Sequence, residues 1–294
     1  MSEHRSFAIV MNPSSAGGKP LRLLPAVRGA LTAGGAEIEI IETQDIPHAA
    51  EAALAAAGRG ETVVAFGGDG LVGALAGALK GSAPLGILPA GRGNDFARAL
   101  GIPQDPLEAC RVLLEGSERA LDLGEANGRA FVCIASLGYD SDANRIANET
   151  RFFRGNLVYL WAGIRALAAW KPARFTVSFD GREREFTGYT VGVANSAYYG
   201  GGMKAVPAAD PADGLLDLIF CKQTSKLRFL TQVLPKSFSG THVELDAIEL
   251  HRAREVEVRA DRPFDVYADG DPITTLPATI RLVPGVLRVI APGA

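Results

Sequence analysis

Four short apolar runs, Phe7–Met11, Ile38–Ile41, Thr62–Phe66 and Leu85–Leu88, alternate with stretches of helical periodicity. Leu24, Val27 and Leu31 share one helical face, and Gly34-Gly35 stops that helix. His48–Ala57 is Ala-rich and ends at Gly58, and Leu71–Leu79 and Asn94–Leu100 complete the series. Parallel strands need a crossover between them, so repeated strand–loop–helix units dictate a parallel sheet covered by helices. Ligands in such sheets bind at the strand C-terminal ends. The glycine-rich loops of this chain fall there, and glycine reaches 34 of 294 residues, well above the usual share of about 7%.

The pattern changes near residue 120. Leu121–Ala126 and Arg129–Ala135 flank Asn127-Gly128, and Phe175–Phe179 and Glu183–Val193 flank Asp180-Gly181. Both dipeptides signal two-residue hairpins. Alternating runs continue at Leu215–Cys221, Glu255–Arg259, Phe264–Tyr267 and Thr279–Val283. The expected architecture is therefore α/β plus all-β. An N-terminal parallel-sheet domain over 1–120 precedes an antiparallel β-sandwich or open barrel over 121–283.

Composition narrows the function. Thirty Lys and Arg against 33 Asp and Glu give a net charge of −3, which supplies no global field for nucleic acid. Cys110, Cys133 and Cys221 are odd in number and far apart, which predicts reduced thiols in a cytoplasmic protein. The first six residues lack the apolar core of a secretion signal. No run reaches the roughly 18–20 apolar residues that cross a bilayer. The nearest, Leu157 to Trp170, contains Arg165 and is flanked by Arg151, Arg154 and Lys171. It reads first as a helix packed on the core, with an interfacial helix as the second reading.

Several chemistries fail at once. Lys19 is followed by Pro20, so no Walker A loop forms, and neither H-E-x-x-H nor G-x-S-x-G occurs. Gly68-x-Gly70-x-x-Gly73 follows a strand and opens a helix, as a dinucleotide fingerprint does. Asp69 lies inside that loop, however, where a bare carboxylate would repel a pyrophosphate. A divalent cation beside it would resolve the conflict, which favours phosphoryl transfer over hydride transfer. A second loop, Leu88-Pro-Ala-Gly-Arg-Gly-Asn-Asp95, also joins a strand to a helix. Gly91 and Gly93 let backbone N–H groups approach an anion, and Arg92 can grip a phosphate bidentately. The plainer reading is a tight turn with a solvated Arg92 and an N-cap at Asn94 or Asp95.

Asn12-Pro13 with Ser14 to Lys19, Gly67-Gly-Asp-Gly70 and Pro89-Ala-Gly-Arg-Gly-Asn-Asp-Phe-Ala-Arg98 occur in order. Gly200-Gly-Gly-Met203, Pro207-Ala208, Asp213-Gly-Leu-Leu-Asp217 and Asp269-Gly-Asp271 follow them. In order and spacing, over nearly the whole chain, these resemble the diacylglycerol kinase catalytic-domain family. The likeness is to small soluble bacterial lipid kinases related to sphingosine kinases and, in the first domain, to NAD kinases. The resemblance implies an ATP-binding α/β domain, a β-sandwich domain with a lipid-binding cleft, and a 284–294 segment that returns to the first domain. It implies an active site in the cleft between the two.

The resemblance further places nucleotide contacts at Asn12, Pro13, Lys19, Thr43, Gly67, Gly68, Asp69, Gly70, Gly91, Arg92, Gly93, Asn94 and Asp95. It places Mg²⁺ near Asp213, with the Leu215 carbonyl and Asp210 as neighbours and Asp217 acting through water. Asp269 and Asp271 become the catalytic pair on the acceptor hydroxyl, although Asp-Gly is first a turn signal. A lipid at the inner membrane face is the implied partner, and the oligomeric state stays open. Leu71, Ala74, Arg92 and Asp271 depart from the family's usual Thr, Glu, Thr and Glu. They describe either a divergent active subgroup or a non-catalytic binding relative.

Overall fold

The structure is a computed structural model that describes residues 5–150 and 156–293, so Arg151 and Arg154 lie outside the described residues. It divides into two units. One comprises residues 1–123, 130–132 and 283–294, and the other residues 124–129 and 133–282.

In the first unit, β1 (Ser6–Met11), β2 (Glu37–Glu42), β3 (Thr62–Gly67) and β4 (Leu85–Pro89) form a parallel sheet in the order β4-β3-β1-β2. Ile9 sits opposite Val64 and Ile40, and Ala65 sits opposite Ile87. Their side chains are apolar because helices exclude water from both faces of such a sheet. The crossovers are α1 (Lys19–Ala33), α2 (Ile46–Gly58) and α3 (Asp69–Leu79), followed by the short α4 (Asp95–Ala99) and α5 (Pro106–Glu115). Asp45 and Asp105 cap α2 and α5 through the His48 and Leu107 N–H groups, each with Pro in the first turn. Near the chain end Val289 pairs in parallel with Leu85. Being parallel, β1, β3 and β4 all run out at the same end of the sheet, where their following loops gather.

From β5 (Ser117–Ala126) the chain turns at Asn127-Gly128 into β6 (Arg129–Phe131). The expected strand Arg129–Ala135 is broken at Val132–Cys133. Its second part, β7 (Ile134–Gly138), leaves the hairpin and pairs elsewhere in the second unit. There follow α6 (Tyr139–Glu149), α7 (Asn156–Ala169), β8 (Ala173–Phe179), β9 (Arg182–Ala194) and β10 (Leu216–Lys222). A helical segment comes next, made of α8 (Lys226–Arg228), one π-turn (Phe229–Val233) and α9 (Leu234–Ser239). Then β11 (Ile248–Ala253), β12 (Glu255–Ala260), β13 (Asp265–Ala268), β14 (Asp271–Thr275) and β15 (Ala278–Ala291) complete the chain.

These strands are antiparallel, with β9 pairing β8 along one half and β7 and β10 along the other. Asn127-Gly128 and Asp180-Gly181 all have left-handed φ, as tight hairpin turns require. The helices α6 and Lys226–Ser239 interrupt a half that the pattern predicts as mainly strand. Helix α7 buries Val158, Ala162, Ala166 and Leu167, yet leaves Trp161 and Ile164 exposed. The packed reading thus describes only one of its faces. Cys110, Cys133 and Cys221 are buried free thiols. Among the described residues no helix is long and apolar enough to cross a membrane.

Candidate active site

Two glycine loops of the first unit are pressed against each other. Gly67 accepts hydrogen bonds from Ala90 N–H at 2.8 Å and Gly91 N–H at 3.1 Å. A Cβ added to Gly91 would stand 2.4 Å from Gly68 Cα, so neither loop has room for a side chain there. The second loop enters α4 through Asn94, at a left-handed φ of 52°. Asn94 Oδ1 accepts from Gly91 N–H at 2.8 Å. That N–H is therefore satisfied internally, which corrects the expectation that it faces an anion.

Asp69 departs from expectation in a similar way. Its Oδ1 accepts from Phe96 N–H at 3.0 Å. Burial pushes the carboxyl up from its ordinary value, while amide donors at residues 94–96 pull it down. Asp69 ties the first loop to the second and caps the short α4. Burial outweighs the amides, so the carboxyl stays raised, and its hydrogen-bond partners are backbone amides of the second loop.

The remaining nucleotide candidates surround this junction or the end of β1. Arg92 is exposed and makes no hydrogen bond or ion pair among the described residues. Asp95 is buried, 3.9 Å from Arg98 Nε. Gly70 lies in the first turn of α3, and Gly93 precedes Asn94. Asn12 holds the loop after β1, accepting from Ser14 N–H and Oγ–H and donating to the Gln44 carbonyl. Pro13 continues this loop, and half-buried Lys19 opens α1 behind Gly18. Thr43 is buried and spends its hydroxyl on the Met11 carbonyl at 3.2 Å.

In the second unit the 210–217 segment folds on itself. Asp210 Oδ1 accepts from Ala212 N–H, and Asp213 Oδ1 accepts from Leu215 N–H, each at 3.0 Å. The Arg252 guanidinium lies between the carboxylates, bonded to Asp213 and 3.2 Å from Asp217 Oδ1. Burial raises the Asp217 carboxyl, Arg252 lowers it, and Asp213 raises it again. Oxygen donors of this kind suit Mg²⁺, but a protein cation already supplies the positive charge. No set of three or more His, Cys, Asp or Glu among the described residues is placed to hold a metal. The residues as arranged do not fit the implied ion.

Asp269 and Gly270, with φ of 53° and 95°, form the two-residue turn between β13 and β14. The turn reading of this dipeptide is thus correct as far as backbone goes. Its carboxylate does more, accepting from Cys133 N–H at 2.9 Å, and Asn148 reaches the Gly270 carbonyl. Asp271 is different. It accepts no hydrogen bond and forms no ion pair among the described residues, and desolvation by neighbouring atoms raises its carboxyl.

A cavity of about 430 Å³ lies inside the second unit. Tyr139, Met203, Ile219, Phe229, Val233 and Phe238 give it an apolar lining. Asp140, Asn144, Thr190 and Tyr199 supply its polar groups. Burial pushes the Asp140 carboxyl up to about 7, against a bond from Thr190. Asn144 donates to the Asp140 carbonyl and to the Tyr199 hydroxyl. The Gly200-Gly-Gly-Met203 motif contributes Gly200, Gly201 and Met203 to this lining, and the rest is drawn from Tyr139 to Ile248 across many elements, with no motif to mark it.

The first unit is thus a parallel α/β unit with paired glycine loops, and the second an antiparallel unit holding an apolar cavity and a carboxylate without a hydrogen-bond partner among the described residues. Comparisons with known proteins give this framework a family. Residues 6–126 match the diacylglycerol kinase catalytic domain, and residues 133–291 match the YegS C-terminal NAD kinase beta sandwich-like domain. A diacylglycerol kinase of Mycobacterium tuberculosis is 36% identical over 290 residues, covering 96% of this chain and 93% of its own. One from Bacillus subtilis is 31% identical, covering 77% and 76%. The crystal structure of a candidate diacylglycerol kinase from Bacillus anthracis has a TM-score of 0.81 at 25% identity, covering 99% and 98%. The chain belongs to the diacylglycerol kinase catalytic-domain family of lipid kinases.

Proposed function

We propose that the protein transfers the γ-phosphate of ATP to the hydroxyl of a membrane lipid such as diacylglycerol. The observation that carries this reading is the cavity of the second unit. A methylene group takes up about as much space as a liquid water molecule, ~30 Å³, so 430 Å³ holds a long alkyl chain. ATP would arrive as its magnesium complex, the ion carried by the phosphates, since the Arg252 guanidinium already pairs with both Asp213 and Asp217.

The roles follow from the partners each residue has. Arg92 is exposed and unengaged beside the glycine junction, and its guanidinium can grip phosphate oxygens. Gly68 and Gly91 shape that junction, and Asp69 and Asn94 hold it rigid. Asp271 accepts the proton of the lipid hydroxyl, because its carboxylate is unengaged and its basicity raised. Asp269 is a positioning residue, its carboxylate fastened to the Cys133 amide at the hairpin tip.

A lipid- or nucleotide-binding relative without turnover is the competing account, favoured by the departures at Leu71, Ala74 and Asp271. Release of ADP by the purified protein, measured with and without diacylglycerol in detergent micelles and with EDTA, separates the two. Lipid-dependent, EDTA-sensitive ADP release is expected. Binding of ATP and lipid with no ADP release above the protein-free control would establish the competing account.

A further inference from the structure

Among its described residues the second unit exposes few large apolar side chains, and their placement is uneven. Trp161 and Ile164 on α7 are 42% and 45% exposed, and Leu227 and Phe238 are 71% and 59% exposed. Leu230 joins them, and only Leu250 lies elsewhere among those described. All five sit on α7 or on the Lys226–Ser239 segment, the two helical pieces that also wall the cavity through Gly163, Phe229, Val233 and Leu234. Phe238 lines the cavity while being mostly exposed, so it stands at the opening.

The orientation of the segment is fixed from within. Phe229 is buried, stacked on Tyr189 at 4.4 Å and edge-on to Tyr139 at 4.9 Å. Lys226 Nζ reaches the Ala168 carbonyl at 2.8 Å and joins the segment to the end of α7. Leu227 and Leu230 are therefore held outward. Exposed apolar side chains gathered on two helical pieces that are joined in this way mark an interaction surface.

Charge identifies what it meets. Residues 156–179 contain three Lys or Arg and no acid, and residues 218–243 contain four and no acid, in a chain of net charge −3. Arg228 and Lys222 are paired with Asp246 and Glu249. Arg165, Lys171 and Lys236 have no carboxylate partner among the described residues. Apolar side chains interleaved with cations are the composition of a surface that lies in a bilayer interface and favours anionic lipid.

We infer that α7 and the Lys226–Ser239 segment form the surface on which the protein docks to an anionic lipid bilayer, at the opening of its cavity. This deepens the lipid kinase reading and rests on it, since the docked lipid is the acceptor. The geometry gives one segment two jobs. Its inner face holds the lipid chain, and its outer face brings the opening to the membrane from which that chain comes.

Co-sedimentation with vesicles of phosphatidylcholine alone, or mixed with phosphatidylglycerol, tests this. The intact protein should bind the mixed vesicles at least about tenfold more tightly, and salt should weaken the preference. Trp161 emission should shift to the blue on those vesicles, and the shift should be absent in Trp161→Phe. The double variant Leu227→Glu with Leu230→Glu should keep its melting temperature and its turnover of a short-chain diacylglycerol dissolved as monomers, while losing vesicle binding. No vesicle binding by the intact protein would overturn the inference, as would undiminished binding by the double variant. A dimer that the double variant converts to monomer would assign the patch to a second copy and overturn it equally. If vesicle binding behaves as expected while no lipid is phosphorylated, the docking surface stands and the kinase reading falls.

Discussion

Asp140 and Arg92 show how differently single charged residues are treated in this chain. Asp140 faces an apolar cavity, and burial pushes its carboxyl up to about 7, from an ordinary carboxylate value near 4. Its pKa is raised in the folded state, so the folded protein holds the proton more tightly than the unfolded chain. Stability is then greatest below about pH 4 and falls as pH rises toward about 7, after which it levels, a total of at most about 4 kcal/mol. Asp140→Asn should abolish that loss. Calorimetry should show the variant more stable than the parent at about pH 8 and no more stable at about pH 4. Identical pH dependence in the two would mean that Asp140 is better solvated than its surroundings indicate. Arg92 has no protein partner to lose, so Arg92→Ala should leave the melting temperature unchanged. It should weaken ATP binding by roughly tenfold or more through loss of a charged phosphate contact. Titration calorimetry showing unaltered affinity would return Arg92 to the role of a solvated turn residue.

At the scale of elements, the glycine junction is the most constrained part of the first unit. Gly91→Ala would drive a Cβ into the Gly68 backbone at 2.4 Å and toward Asn94 Oδ1 at 2.9 Å. Backbone must move to admit it, at a cost of about 1–3 kcal/mol. Urea unfolding should report that loss, with ATP affinity falling in parallel. Full stability in the variant would mean that the two loops are not in contact.

The same junction shows what a sequence conveys. Strands and crossover helices were legible because burial imposes periods of two and about 3.6 on the chain. The hairpins at Asn127-Gly128 and Asp180-Gly181 were legible because left-handed backbone selects those residues. Asp69 was misread because its donor, the Phe96 amide, lies 27 residues on, and local sequence carries no sign of it. Arg252 between Asp213 and Asp217 escaped notice for the same reason. So did most of the cavity lining, which outside the Gly200–Met203 motif shares no regular spacing.

Over the whole molecule, the nucleotide-facing candidates belong to one unit and the acidic pair and cavity to the other. That division matches the two family domains found at 6–126 and 133–291. Charge is divided as well along the sequence, since two acid-free stretches offset an acidic remainder. The central claim is that Asp271, free of protein partners, accepts the proton of a lipid hydroxyl as phosphate is transferred. The most direct test is label transfer from [γ-³²P]ATP to diacylglycerol by the parent, Asp271→Asn and Asp269→Asn. The parent should label the lipid from the γ position and give none from [α-³²P]ATP. Asp271→Asn should fold and bind ATP normally but turn over roughly a hundredfold more slowly, the scale of general-base loss. Asp269→Asn, which suits the left-handed turn and can still accept from Cys133 N–H, should lose less than about tenfold. Near-parental labelling by Asp271→Asn would contradict the account.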